Sequence, residues 1–118
     1  MAYDSNNIFA KILRGDIPCK KIYEDSHVLA FHDIQPKAPV HILVIPKGAY
    51  TDMDDFTKRA TDVEMAALLK ALGQLARDHG LDQTGYRVIS NCGVNGGQEV
   101  PHLHLHLLGG KKIGKMVE

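Results

Sequence analysis

A chain of 118 residues, 44% apolar and 24% charged, has the composition of one soluble globular domain, large enough to bury a single core. Its fourteen basic residues are balanced by fourteen acidic ones, so it lacks the basic surplus of a duplex-binding domain, which argues against nucleic acid as a partner. Cys19 and Cys92 form no CxxC pair, no apolar run approaches the roughly 20 residues of a membrane span, and residues 1–10 hold no apolar leader core. These features predict one domain over residues 1–118, in the cytoplasm, with free thiols and no membrane contact.

In chain order, Ile8, Phe9, Ile12 and Leu13 fall on one helical face, with Asn6 or Asn7 as cap and Gly15 as stop. Lys20 to Glu24 and Val28 to Asp33 read as short strands joined by a turn at Asp25-Ser26. Pro36 and Pro39 mark a loop, and the apolar run from His41 to Ile45, ended by Pro46, reads as a buried strand. Thr61 and Glu64 form a capping box ahead of a helical stripe of Met65, Leu68, Leu69, Leu72, Leu75 and Ala76, stopped by Gly80. Tyr86 to Asn91 predicts a strand, Gly93 to Gly97 a glycine-rich loop, and Leu103 to Leu108 a last strand. Strands in runs with helices inserted predict an α+β antiparallel architecture.

The last strand carries the chemistry. His102, His104 and His106 recur at a period of two, so a strand puts all three imidazoles on one face and the intervening leucines on the other. Packing alone needs no row of titratable rings. Imidazole near neutral pH offers either metal ligation or nucleophile and proton work. A zinc site is the rival reading, although the outer pair, about 13 Å apart by strand rise, fits one tetrahedral ion poorly. Gly96 and Gly97 are placed to offer backbone N–H groups to an anion.

The run His102-Leu103-His104-Leu105-His106-Leu107-Leu108 resembles the His-φ-His-φ-His-φφ signature of the histidine-triad (HIT) superfamily, where φ is apolar. Gly96-Gly97-Gln98-Glu99, Gly109-Gly110, Phe31-His32-Asp33-Ile34 and the segment from His41 to Lys47 resemble its Hint branch, bacterial members above all. The resemblance implies an antiparallel sheet of about five strands with two helices. It also implies a homodimer in which the sheet continues across the interface and the longer helix packs there.

The activity so implied is hydrolysis of purine nucleoside phosphoramidates, conjugates of AMP or GMP with an amine, without metal or cofactor. His104 would be the nucleophile, His106 would lie against the phosphate, and His41 and His102 would support them from behind. Asn91, Gly97, Gln98, Glu99 and Val100 would surround the phosphate and leaving group, and Asp33 would accept from the ribose hydroxyls. Ile8, Phe9, Ile17, Phe31 and Ile34 would wall the base. Glu99 stands where animal Hint proteins carry serine, which implies an altered leaving-group preference, and Pro101 replaces the usual aromatic residue before the triad. Two further readings remain: a dinucleoside polyphosphate hydrolase of the Fhit type, and a nucleotide-binding regulatory protein in which the triad only holds a ligand.

Overall fold

The β-branched run after the proline loop becomes the centre of the sheet. In the computed structural model, which describes residues 2–117, it is β3 (Val40–Pro46). It pairs on one side with β2 (Val28–His32) and on the other with β5 (Leu105–Gly109). The edges are β1 (Lys21–Glu24) and β4 (Tyr86–Ile89), giving the antiparallel order β1-β2-β3-β5-β4. A strand inside such a sheet, covered on both faces, is apolar along most of its length, and Ile42, Leu43, Val44 and Ile45 are all buried.

Helix ends follow local chemistry. In α1 (Ile8–Leu13), the Asn7 side chain accepts from the Ala10 N–H, and Gly15 turns the chain away at a φ of +82°. In α3 (Asp62–Asp78), Thr61 and Glu64 form the complete reciprocal capping box. Two helices beyond the expected two are present: α2 (Met53–Arg59), capped by Asp52, and the single turn α4 (Leu81–Thr84). The polar α2 buries only Phe56, so no apolar stripe announces it.

The sheet separates two cores. One face sends Val28, Ala30, Ile42, Val44, Leu105 and Leu107 against Leu68, Leu72 and Leu75 of α3. The other sends Leu29, Phe31, Leu43 and Ile45 toward Phe9 of α1. Leu69, expected in the stripe, is 63% exposed: one residue past Leu68 is about 100° of helical turn, which carries it off the sheet-facing surface. The last strand begins at Leu105 rather than Leu103, because the Leu103 N–H donates to the Tyr50 carbonyl instead of a ladder partner (2.8 Å). β4 likewise stops at Ile89, short of Asn91.

Candidate active site

Parity on β3 and β5 builds the floor of the site. His41 and Leu43 share a face of β3 with His106 and Leu108 of β5, where Leu43 pairs with His106 and His41 with Leu108. Over this floor lies a cavity of about 480 Å³, within the range of small-molecule sites. Phe9, Ile89 and Val100 supply apolar wall; Asp33, Asn91, Gly97, Glu99 and His104 supply most of the polar lining. The leucines that alternate with the histidines point the other way, since Leu103, Leu105 and Leu107 belong to the α3-side core.

Hydrogen bonds assign the ring protons. A carbonyl only accepts, so the His104 Nδ1 at 2.7 Å from the His102 oxygen carries the hydrogen, leaving the Nε2 lone pair free. The Lys37 N–H donates to His41 Nδ1 (3.0 Å), so the His41 hydrogen lies on Nε2 and is donated to His106 Nδ1 (2.9 Å). His106, neutral, then keeps its own hydrogen on Nε2. The row therefore contains one ring with a free lone pair and one with a free donor.

Burial keeps these rings neutral. It lowers His41, His102 and His104 below the ordinary imidazole value. His106 is pushed down to about 4, by burial first and then by the fields of His104 and His41, with Asp33 opposing. His102 is completely buried behind the cavity, where its Nε2–H donates to the Pro46 carbonyl (2.9 Å). Asp33 closes a turn, accepting from the Gln35 N–H (2.8 Å), and its second oxygen stands 3.4 Å from His41 Nε2. Among the described residues, Asp33, His41 and His106 have ligand atoms close enough to hold a metal ion, within 4.8 Å of one another. The facing His41 and His106 nitrogens already share a hydrogen, so an ion there must displace that bond.

Several of the expected residues lie away from the cavity or are engaged elsewhere. Ile34 is 82% exposed and Ile8 is also exposed, and neither is among the residues that line the cavity; Phe31 is buried in the α1-side core. Ile17 lines a separate shallow groove with Cys19 and Leu29. The Gly97 N–H, expected to face an anion, is donated to the Val94 carbonyl (3.1 Å), although its φ of +74° does require glycine. Gln98 lies outside the lining and staples the loop instead. Its amide donates to the Thr51 and Val100 carbonyls (2.7 and 2.9 Å) and accepts from the Gly93 N–H (3.0 Å).

Gln35, Lys37, Leu43, Ile89 and Leu108 line the cavity without having been expected there. Leu43 and Leu108 were accessible to period-two counting from His41 and His106. Ile89 enters only through the pairing of β4 with β5, where it faces His106. Nothing local marks Gln35 or Lys37.

The family model for the HIT domain matches residues 14–113. An uncharacterised HIT-like protein of Azospirillum brasilense is 61% identical over 98% of this chain and 94% of its own length. A purine nucleoside phosphoramidase of Escherichia coli K12 is 40% identical, over 93% of this chain and 92% of its own. Among solved structures, a histidine triad protein from Clostridium difficile superposes with a TM-score of 0.84 at 47% identity, over 97% of this chain and 98% of that one. With the sheet order, the histidine row and these matches in agreement, the chain belongs to the HIT, or histidine triad, family.

Proposed function

We propose that this chain hydrolyses purine nucleoside phosphoramidates through a covalent nucleotidyl-histidine on His104. The observation that carries the reading is the His104 ring, whose Nδ1 hydrogen is held by the His102 carbonyl while Nε2 is free at the cavity. A neutral imidazole with a fixed tautomer is a competent nucleophile at pH 7. His104 Nε2 attacks the α-phosphorus, the P–N bond breaks, and the amine leaves past Glu99 with a proton taken from solvent. Water then cleaves the P–N bond to His104, releasing the nucleoside monophosphate.

His106 Nε2–H donates to a phosphate oxygen as charge builds there. Asn91 provides a second donor, Asp33 binds the ribose hydroxyls, and Phe9 and Ile89 flank the base. The E. coli relative named a phosphoramidase supports this substrate class over a dinucleoside polyphosphate. No metal or organic cofactor takes part. The protein acts in the cytoplasm as a homodimer, a reading supported by free Cys19 and Cys92 and by an exposed apolar edge on β4 and α3. No described helix is long and apolar enough to cross a membrane.

The test is a comparison of AMP-lysine, GMP-lysine and dinucleoside polyphosphates as substrates in the presence of a strong chelator, with acid-quench trapping of the adduct. The phosphoramidates should show the higher kcat/KM, and the label should map to His104. His104→Ala should lose at least roughly 10³ in kcat while AMP still binds. An adduct on His106, or turnover abolished by the chelator, defeats the proposal.

A further inference from the structure

The segment preceding α1 holds a polar chain that the reaction scheme does not use. Asn7 is buried, and both its side-chain polar atoms are engaged: Oδ1 accepts from the Ala10 N–H (2.9 Å), and Nδ2 donates to the Asp4 carbonyl (2.7 Å) and to the Tyr3 hydroxyl oxygen (2.9 Å). Tyr3 has one proton to give, and its hydroxyl meets His102 Nδ1. On the far side of that ring, Nε2 faces the Pro46 carbonyl, which can only accept. The His102 hydrogen therefore lies on Nε2, Nδ1 is an acceptor, and the Tyr3 proton points into it. Burial raises the Tyr3 pKa, so the hydroxyl keeps that proton. Tyr3 and Asn7 both precede the stretch matched by the family model.

This matters because His102 lies outside the β5 ladder, so strand pairing does not hold its carbonyl in place. Its backbone is tied by its own N–H to the Val100 carbonyl (2.9 Å), and its ring is clamped between Tyr3 and Pro46. The carbonyl so positioned is the one that takes the His104 Nδ1 hydrogen.

We propose that Tyr3, aimed by Asn7 and acting through His102, is a positioning residue that holds His104 in its reactive tautomer. The proposal deepens the phosphoramidase reading and rests on it for its catalytic consequence. Without the Tyr3 donor, the buried His102 Nδ1 has no partner, the ring is released on one side, and the carbonyl that fixes His104 is less firmly held. His104 then samples the tautomer with hydrogen on Nε2, which is not nucleophilic at that atom.

The experiment uses the full chain labelled with 15N-histidine, in wild type, Tyr3→Phe and Asn7→Asp forms. Tyr3→Phe keeps the ring and removes the hydroxyl. Asn7→Asp keeps the helix cap and replaces the amide donor by an acceptor, which draws the Tyr3 proton away from His102. In both, the His102 Nδ1 resonance should move toward that of a free ring nitrogen, and the His104 resonances toward a tautomer mixture.

Carbethoxylation of His104 by diethyl pyrocarbonate, followed by peptide mass, should slow roughly 3- to 10-fold, as for loss of one hydrogen bond. Adenosine phosphoramidate turnover should lose the same factor in kcat with KM within about twofold, since Tyr3 does not line the cavity. Unchanged His104 nitrogen shifts and modification rate in either folded variant overturn the proposal. So does a rise in KM at constant kcat. The ring readouts need no substrate, so a wild-type protein that ignores phosphoramidates would defeat the functional reading and leave this one still decided by the spectra.

Discussion

His41 and His106 lie diagonally on neighbouring strands, and the His41 Nε2–H donates to His106 Nδ1 at 2.9 Å across 65 residues of sequence. That bond converts a backbone N–H at Lys37 into a donor at the cavity: Lys37 N–H to His41 Nδ1, His41 Nε2–H to His106 Nδ1, His106 Nε2–H outward. Three rigid groups thus orient a hydrogen at the cavity, the one that the proposed reaction directs at phosphate.

Replacing His41 by leucine leaves His106 Nδ1 without its donor and frees the ring to hold either tautomer. His41→Leu should lower kcat about 10-fold or more, the scale of one orphaned buried polar group, with substrate binding nearly unchanged. Steady-state kinetics on AMP-lysine check it. A variant with wild-type kcat would show that the relay does not control His106.

The pH dependence has a definite sign. His104 sits below the ordinary imidazole value and His106 at about 4, so each stays neutral below the pH at which a free imidazole protonates. The acid limb of kcat/KM should therefore fall below pH 6.5. Stability follows the same groups: the unfolded chain takes up protons near pH 6.5 and the folded chain does not. Stability present above pH 6.5 is thus lost as pH falls toward about 4, by about 3 kcal/mol for His106 alone. Urea midpoints between pH 7 and 4 measure the slope; midpoints rising as the pH falls would contradict it.

Asp33 should discriminate sugars. Its carboxylate lines the cavity and is braced by the Gln35 N–H, so it can accept from ribose hydroxyls without moving. Asp33→Ala should erase most of the preference for ribo- over 2′-deoxyribonucleotides, about 10- to 150-fold in relative kcat/KM. Loss of the turn would slow both substrates alike, so the ratio isolates the contact. An unchanged ratio would leave Asp33 as a turn residue.

The apolar surface left open by the fold predicts the dimer. β4 is an edge strand with Tyr86 and Val88 exposed, and Val63 and Leu69 are exposed on α3. Unpaired edges and apolar surface of this kind favour a second copy. Light scattering should give twice the chain mass, and Val88→Asp combined with Leu69→Asp should give monomer. A monomeric wild type would remove this partner.

Much of the site was legible because its signal is local. A period of two fixes which face a side chain takes, so His104, His106 and His41 could be placed together from spacing and resemblance. The capping box at Thr61 and Glu64 and the strand at Val40–Pro46 were equally local. The cavity lining was less so: Ile8 and Ile34 look suitable as apolar residues beside the site, yet both are exposed and outside the lining. Apolar character does not say which way a helix end or loop turns.

The sequence by itself determined the α+β class, the histidine row with its leucine backing, and the caps of α1 and α3, since each depends on neighbours within one or two turns of chain. Only the tertiary structure decided that Gln98 staples a loop, that the Gly97 N–H is taken by Val94, and that Ile89 completes the wall. It also decided the proton positions, because an imidazole's tautomer depends on whether a donor or a carbonyl faces each nitrogen. For His102 and His41 those partners are Tyr3, Pro46 and Lys37, brought there by the folding of the sheet and of the segment that precedes α1.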